Sequence, residues 1–230
     1  MTAIAEGPVL KSFKGRTYTL AFAETGVSGF DLVTVKFRAN GKASSTVIRP
    51  DGTKKTVSGK LVYGDAHCCL PVTGGKKGAE FGMLLWFSHD GALEQVTGIP
   101  TGWVERDKGI LSLPGNANLV FRIGTADVQS VVPEVLTESL PSEVPVSANA
   151  QAKLKLGVSA SESPASLKVT GLTTSGAFAA RFSVYEKRDG KNPRKTTARV
   201  QGLFVNGVGY GNVNLGASRF CPMMLLPATE

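Results

Sequence analysis

Short segments of alternating apolar and polar residues recur along most of the chain, and they end at turns that contain glycine. Residues 17–22 and 31–38 both alternate with a period of two, which places successive side chains on opposite faces of a strand. Asn40-Gly41 follows the second segment, and Asn-Gly is the strongest short hairpin signal. Many of the 27 glycines separate such segments in the same way. The pattern predicts many antiparallel strands joined by tight turns.

The strand pattern predicts an all-β fold, namely an antiparallel meander barrel or barrel-like sandwich with at most one short helix. Alternating strand and helix patterns are absent, which excludes a parallel α/β sheet. The helix candidate is residues 131–140, where Pro133 suits a first turn and Pro141 would end the helix.

The second half of the chain repeats the order of strands and turns found in the first. Alternating segments at 165–171, 177–185, 196–205 and 208–215 follow one another, with Asn206-Gly207 before the last. A longer turn is predicted at 187–193. The sequence therefore predicts two related β blocks, that is, a weak internal repeat. The apolar residues 220–227 are expected to form a closing strand paired with residues 18–22.

The distribution of charged residues along the sequence also divides the chain into segments. The net charge is +8, but residues 111–150 hold one basic and four acidic side chains between two net-basic segments. This acidic stretch also contains prolines, as a connector does. We therefore predict a first β block at 1–130, a linker or crossover at 131–150 and a second β block at 151–230. One continuous barrel-like domain is the alternative.

Several segments resemble a known pattern. They are 82–87 (GMLLWF), 176–182 (GAFAARF), 200–205 (VQGLFV) and 208–211 (VGYG). Together they are similar to the β-rich C-terminal region of large secreted and surface proteins of the planctomycete and verrucomicrobia groups. The resemblance implies an exported all-β module within a secreted or cell-surface protein, and it implies no catalytic residues.

The location of the protein rests on that resemblance. Residues 1–8 have neither the basic start nor the apolar stretch of a signal peptide, so the sequence leaves a cytoplasmic location open. No uncharged apolar run approaches the roughly 18 residues of a membrane-spanning helix, and we expect none.

The cysteines and histidines do not predict a metal or cofactor site. His67, Cys68, Cys69, His89 and Cys221 lack the paired ligand spacing of zinc sites. A disulfide from one of the adjacent cysteines to Cys221 is a better alternative than a metal, and an odd count leaves a free thiol.

Motifs of catalysis are equally weak. No nucleophile-elbow motif occurs, and the contiguous Ser88-His89-Asp90 is better explained as hairpin sequence than as a triad, which is assembled in space. The glycines of residues 207–211 precede an alternating segment rather than a helix, so they predict close strand packing and not a phosphate loop.

The candidate binding residues are cations and aromatics. Six basic residues cluster near one turn and would attract phosphate, sulfate or carboxylate groups. Flat aromatic rings bind sugar rings when they are exposed, although burial in the core is the role favoured for Trp103. The alternative for the cations is a solvated hairpin tip that discourages pairing of sheet edges. The candidate residues are Lys187, Arg188, Lys191, Arg194, Lys195, Arg199, Trp103 and Tyr210.

These observations favour a non-catalytic structural or binding module of a larger exported or cell-surface assembly. Its expected partners are other protein domains at sheet edges. A carbohydrate-binding or acidic-polymer-binding protein is the first alternative, with glycans ranked above nucleic acid. A hydrolase with an unidentified site is the second.

Overall fold

The computed structural model of the chain describes residues 6–74, 81–98, 102–151, 153–159 and 161–228. Residues 1–5, which belong to the segment tested for a signal peptide, lie outside these ranges. The helices and strands in chain order are α1 (Glu6–Phe13), β1 (Thr17–Glu24), β2 (Phe30–Phe37), β3 (Lys42–Ile48), β4 (Lys54–Lys60), β5 (Val62–Tyr63), β6 (His67–Gly74), β7 (Phe81–Ser88), β8 (Leu93–Thr97), β9 (Trp103–Ile110), β10 (Ala117–Ile123), α2 (Thr125–Val131), β11 (Val144–Ala148), β12 (Leu154–Leu156), β13 (Lys168–Thr170), β14 (Ala177–Arg188), β15 (Lys191–Val205), β16 (Val208–Asn214) and β17 (Phe220–Pro227).

The predicted all-β class is confirmed, and the described strands form three antiparallel sheets. The helical content differs in detail, because the described residues contain two short α-helices and two single-turn 3-10 helices. None of the described helices is long and apolar enough to cross a membrane.

Two sheets enclose the core of the first half. The five-stranded sheet has the order β4-β3-β2-β1-β9, and the four-stranded sheet has the order β5-β6-β7-β8. Residues 54–63 divide between the two sheets, since β4 ends before the buried Leu61 and β5 begins after it. β4 and β6 meet at Gly59, where a Cβ atom would lie 2.7 Å from the Pro71 carbonyl oxygen. Only glycine lets the two sheets approach so closely there.

A single eight-stranded sheet forms the second half. Its order is β12-β11-β10-β17-β16-β15-β14-β13, and its edge strands β12 and β13 contact each other, which nearly closes a barrel. The ring of Phe178 lies over Gly202, and a Cβ atom at Gly209 would lie 2.8 Å from Leu225 Cβ. The glycines of β16 therefore accommodate close packing, as predicted from the sequence.

Two expectations need correction. Residues 131–140 are not one helix, because α2 ends at Val131 and only a 3-10 turn follows at Thr137–Ser139. The closing strand β17 pairs with β10 and β16, not with residues 18–22, which pair with β2 and β9.

The division of the chain into two β blocks stays a prediction. The strands change from one sheet to another between β9 and β10, and residues 131–150 hold the end of α2, the 3-10 helix and β11.

A third, smaller apolar cluster joins the two halves. Ala21 and Leu32 of the five-stranded sheet pack with Leu203 and Tyr210 of the barrel. The amide of Asn212 completes this junction: its Oδ1 accepts the Phe30 N–H at 2.7 Å, and its Nδ2 donates to the Phe30 carbonyl at 2.7 Å. The buried side chain thus satisfies both backbone groups of Phe30, as a neighbouring strand would.

Candidate functional site

The predicted basic cluster lies on the hairpin of β14 and β15. The turn is Asp189-Gly190 alone, which is shorter than the predicted turn at 187–193, and Pro193 lies within β15. All six predicted cations are exposed. The structure therefore gathers them on one hairpin, as the sequence suggests. They are Lys187, Arg188, Lys191, Arg194, Lys195 and Arg199.

Only part of this charge is neutralised. Arg194 and Arg219 both approach Glu186, at 3.9 Å and 2.7 Å. Lys195 Nζ lies 5.8 Å from the centre of the Tyr185 ring, in cation–π contact. The other four hairpin cations form no ion pair with any residue that the structure describes.

The β14 edge of the hairpin is covered near its tip. The Leu136 N–H donates to the Tyr185 carbonyl at 2.8 Å, and the Lys187 N–H donates to the Glu134 carbonyl at 2.7 Å. A covered edge offers no free ladder of backbone groups to another chain. Protection against edge pairing therefore does not account for the cations along β14.

A row of cations crosses three strands on the outer face of the same sheet. Arg181 of β14 is directly opposite Arg199 of β15, and on its other side it is opposite Lys168 of β13. All three side chains are exposed. Like charges directly opposite each other destabilise a sheet, so this row costs free energy in the unliganded protein. We name Lys168, Arg181 and Arg199 the cation row.

Most of this row is not apparent from the sequence. Lys168 and Arg181 are isolated basic residues in the sequence, and only the strand register brings them beside Arg199. The available signal was the alternation of residues 177–185, which places Arg181 on the face opposite to Phe178 and Phe182.

Trp103 does not lie on this surface. It is 9% exposed and stacks on Phe22 with ring centres 5.5 Å apart. The Arg49 guanidinium covers it at 5.8 Å from the ring centre. Trp103 is therefore a core residue and is not exposed for sugar binding, because this ring fills the end of the first core.

Tyr210 is buried as well, at 7% exposure, and its ring meets Phe30 edge to face at 5.1 Å. Burial, with Asp107 as a smaller cause, raises the pKa of its hydroxyl. Its position at the junction between the two halves removes it from the candidate ligand contacts.

Charged groups cap the end of the first core beside Trp103. Arg49 Nε lies 3.3 Å from Asp31 Oδ1, and Arg49 Nη2 lies 3.2 Å from Glu24 Oε2. Asp31 is completely buried, and neither of its carboxylate oxygens accepts a hydrogen bond from the described residues. Burial raises the pKa of Asp31 to about 6, against the lowering effect of Arg49.

A cleft of about 200 Å³ separates the two halves on the side of the cations. Polar residues of the five-stranded sheet line one wall, including Lys36 and Lys54. Ser175, Ala177 and Leu203 line the opposite wall. Ala177 and Leu203 are paired residues of β14 and β15, on the same face as Arg181 and Arg199. The cleft therefore opens beside the cation row.

A wider groove of about 480 Å³ borders the junction and has a different character. Phe30, Tyr210 and Met224 line it, and the charge of Arg106 is accompanied there by Glu24 and Asp127. This groove has no excess of cations.

The cysteine and histidine candidates do not assemble into a reactive centre. Cys68 lies in the first core and Cys221 in the second, and all three cysteines are free. Burial raises the pKa of Cys221 to about 12, so it is protonated at neutral pH. No group of three or more His, Cys, Asp or Glu side chains within the described ranges is arranged to hold a metal ion.

Ser88, His89 and Asp90 form a turn and not a triad. The Ser88 hydroxyl bonds to the Asp90 carboxylate, whereas His89 Nε2 lies 3.1 Å from the Gly64 carbonyl oxygen. The histidine thus contacts a different loop and is not placed to take a proton from Ser88.

Comparisons with protein-family models, with curated proteins and with solved structures find no match for this chain. The proposed function is therefore inferred from the charge and geometry of the protein's surfaces.

Proposed function

We propose that this protein is a non-catalytic binding module whose basic outer face holds an anionic polymer. From the resemblance to exported β-rich regions, we also propose that it serves within a larger secreted or cell-surface protein. The observation that carries the binding proposal is the cation row, together with the hairpin cations that have no acidic partner.

The cation row costs free energy of folding unless a ligand neutralises it. Arg181 and Arg199 repel each other across the strands, and the outer faces of β14 and β15 carry no acid that could relieve them. A polymer with regularly spaced negative groups would neutralise several of these cations at once. Binding would then release bound counterions, so its strength depends steeply on salt.

A heparin column tests the proposal. We expect salt-dependent retention of the native protein, and earlier elution of the double variant Arg181→Gln/Arg199→Gln. Lys11→Gln/Lys14→Gln is the matched control, since it removes two exposed charges, one from the last turn of α1 and one from the residue that follows it. Absence of salt-dependent retention on heparin, duplex DNA and polyphosphate alike would refute the proposal.

A charge reversal separates binding from folding. In Arg199→Glu, an opposite-charge pair with Arg181 replaces the repulsion, which we expect to raise the free energy of unfolding by about 0.5 kcal/mol. Retention should fall in the same variant. A variant that is both more stable and poorer at binding cannot owe its weaker retention to unfolding. Equal retention of Arg199→Glu and the native protein would contradict the role of this row.

A further inference from the structure

The five-stranded sheet carries a second cationic face, which sequence analysis does not single out. The side chains of β2, β3 and β4 that point away from the first core include four exposed lysines and no acid. None of the four forms an ion pair with a described residue. They are Lys36, Lys42, Lys54 and Lys60.

This face repeats the arrangement of the barrel. Lys42 is directly opposite Lys60, just as Arg181 is directly opposite Arg199. Each half of the molecule therefore has a like-charged pair on its outer face, at a cost in stability. Two such pairs on the two sheets that meet at the junction point to a common ligand.

Hydroxyl groups fill the space between the lysines. Thr34, Thr46 and Thr56 are register partners across the three strands, and the Thr46 and Thr56 hydroxyl oxygens lie 3.3 Å apart. Ser44 and Ser58 form the neighbouring row beside Lys36. Such a flat surface presents donors and acceptors to a hydroxyl-bearing ligand and cations to its charges.

The cleft brings the two cationic faces together. Lys36 and Lys54 line one wall, and the Ala177–Leu203 pair lines the other. Arg181 and Arg199 lie four residues further along the same strands, which is about 13 Å at the rise of a strand. A chain that is seated in the cleft and extends about 13 Å beyond it along these strands would therefore reach the cation row.

We infer that the ligand is an extended acidic polysaccharide, bearing sulfate or carboxylate groups, which crosses the cleft and contacts both faces. This inference rests on the proposed function and specifies its ligand. Single-stranded nucleic acid fits less well, because binding it requires aromatic platforms for its bases. On the outer faces of the two sheets, the rings of Phe30 and Tyr210 are buried. Tyr185 is half-buried beneath Lys195, and Phe220 is half-buried on β17. On the five-stranded sheet the site relies on lysine, a compact point charge, and on hydroxyls.

The test measures binding of short and long heparin fragments by calorimetry. The native protein should bind the long fragments more tightly, because only these reach both faces. In Lys36→Gln/Lys54→Gln, the affinity for long fragments should fall about tenfold, while that for short fragments changes less. Lys11→Gln/Lys14→Gln should bind like the native protein, since it also loses two positive charges but at the end of α1 and the residue after it.

The outcomes separate this inference from the proposed function. If Lys36→Gln/Lys54→Gln binds long fragments as the α1 control does, the inference fails, while retention that depends on Arg181 and Arg199 leaves the proposed function intact. If an equal charge of single-stranded or duplex DNA displaces the long fragments, the ligand class is wrong. If no polyanion binds, both proposals fail.

Discussion

The two halves of the molecule contain the same element, a meander of four sequential antiparallel strands, used in two ways. β1–β4 form one meander and β14–β17 the other. Each presents apolar residues to the junction, Leu32 in the first and Leu203 in the second, and each is cationic further along the strands. The first uses strands of seven or eight residues and forms a flat wall. The second has strands of 12 and 15 residues, and its hairpin extends well beyond the strands beside it.

This difference shows how one scaffold supplies two kinds of cationic surface. A flat wall offers serine, threonine and lysine side chains in register, as around Thr46. A long hairpin projects arginine and lysine into solvent, as at Arg188 and Lys191. Strand length decides between them, because side chains beyond the neighbouring strand lose one partner for packing and gain exposure.

The cores differ too, and this difference can be tested. The second core closes around Phe178, which lies over Gly202, and among the described residues it contains no buried charged side chain. The first core ends in Asp31, Arg49 and Trp103.

Substitution of Gly202 should have the largest effect. In Gly202→Ala, the new Cβ atom would overlap the Phe178 ring, which can move only by disturbing the barrel core. We expect a loss of about 3 kcal/mol in the free energy of unfolding, measured by denaturant titration. Gly115→Ala is the control, since a Cβ atom there meets nothing within 4 Å. Equal midpoints for the two variants would show that packing beneath Phe178 does not hold the barrel closed.

The charged end of the first core should produce a pH dependence that the second core lacks. The pKa of Asp31 is about 6 in the folded protein, above its ordinary value of 3.8. The unfolded chain therefore releases this proton first, and the free energy of unfolding should fall by about 2–3 kcal/mol as the pH rises from 4 to 6. Below pH 4 this contribution is complete, and above pH 6 it is lost.

Asp31→Asn should remove this part of the pH dependence, whereas Asp65→Asn, at an exposed position, should keep it. The check is denaturant titration at several pH values. If native protein and Asp31→Asn change in parallel between pH 4 and 6, the buried carboxylate is not the source.

A substitution at the junction should lower the free energy of unfolding by a smaller amount and uncouple the unfolding of the two halves. Asn212→Ala leaves the N–H and the carbonyl of Phe30 without their partner, and we expect it to cost about 2 kcal/mol. Asn192→Ala removes an exposed amide and serves as control. In Asn212→Ala, but not in the native protein or in Asn192→Ala, thermal unfolding should separate into two transitions, one for each half of the molecule. A single transition at an unchanged temperature would mean that the apolar contacts alone couple the halves.

Turn sequences show how far local prediction reaches. Asn206-Gly207 has positive φ at both residues, 48° and 84°, as an Asn-Gly hairpin turn requires. At Asn40-Gly41 only Gly41 has a positive φ, at 71°, and the turn is wider. The same dipeptide predicted both hairpins, but the strands on either side selected the turn.

For the candidate site, too, the local sequence identifies some of the residues and not others. The hairpin cations could be found because they are neighbours in the sequence and extend beyond the core. The cation row could not, because Lys168, Arg181 and Arg199 are brought together only by register. The exposure of the aromatic candidates could not be decided from the sequence for a related reason: whether Trp103 is covered depends on Arg49, which is remote in sequence.

By itself, the sequence determined the all-β class, most strands of the two meanders and the exposure of the basic hairpin. These follow from side-chain alternation and turn residues, which act over a few neighbouring positions. Tertiary structure alone decided the partner of β17, the split of residues 55–63 between two sheets and the meeting of two lysine- and arginine-bearing faces at one cleft. Those depend on hydrogen bonding and apolar burial between segments far apart in the chain, for which no local pattern carries a signal.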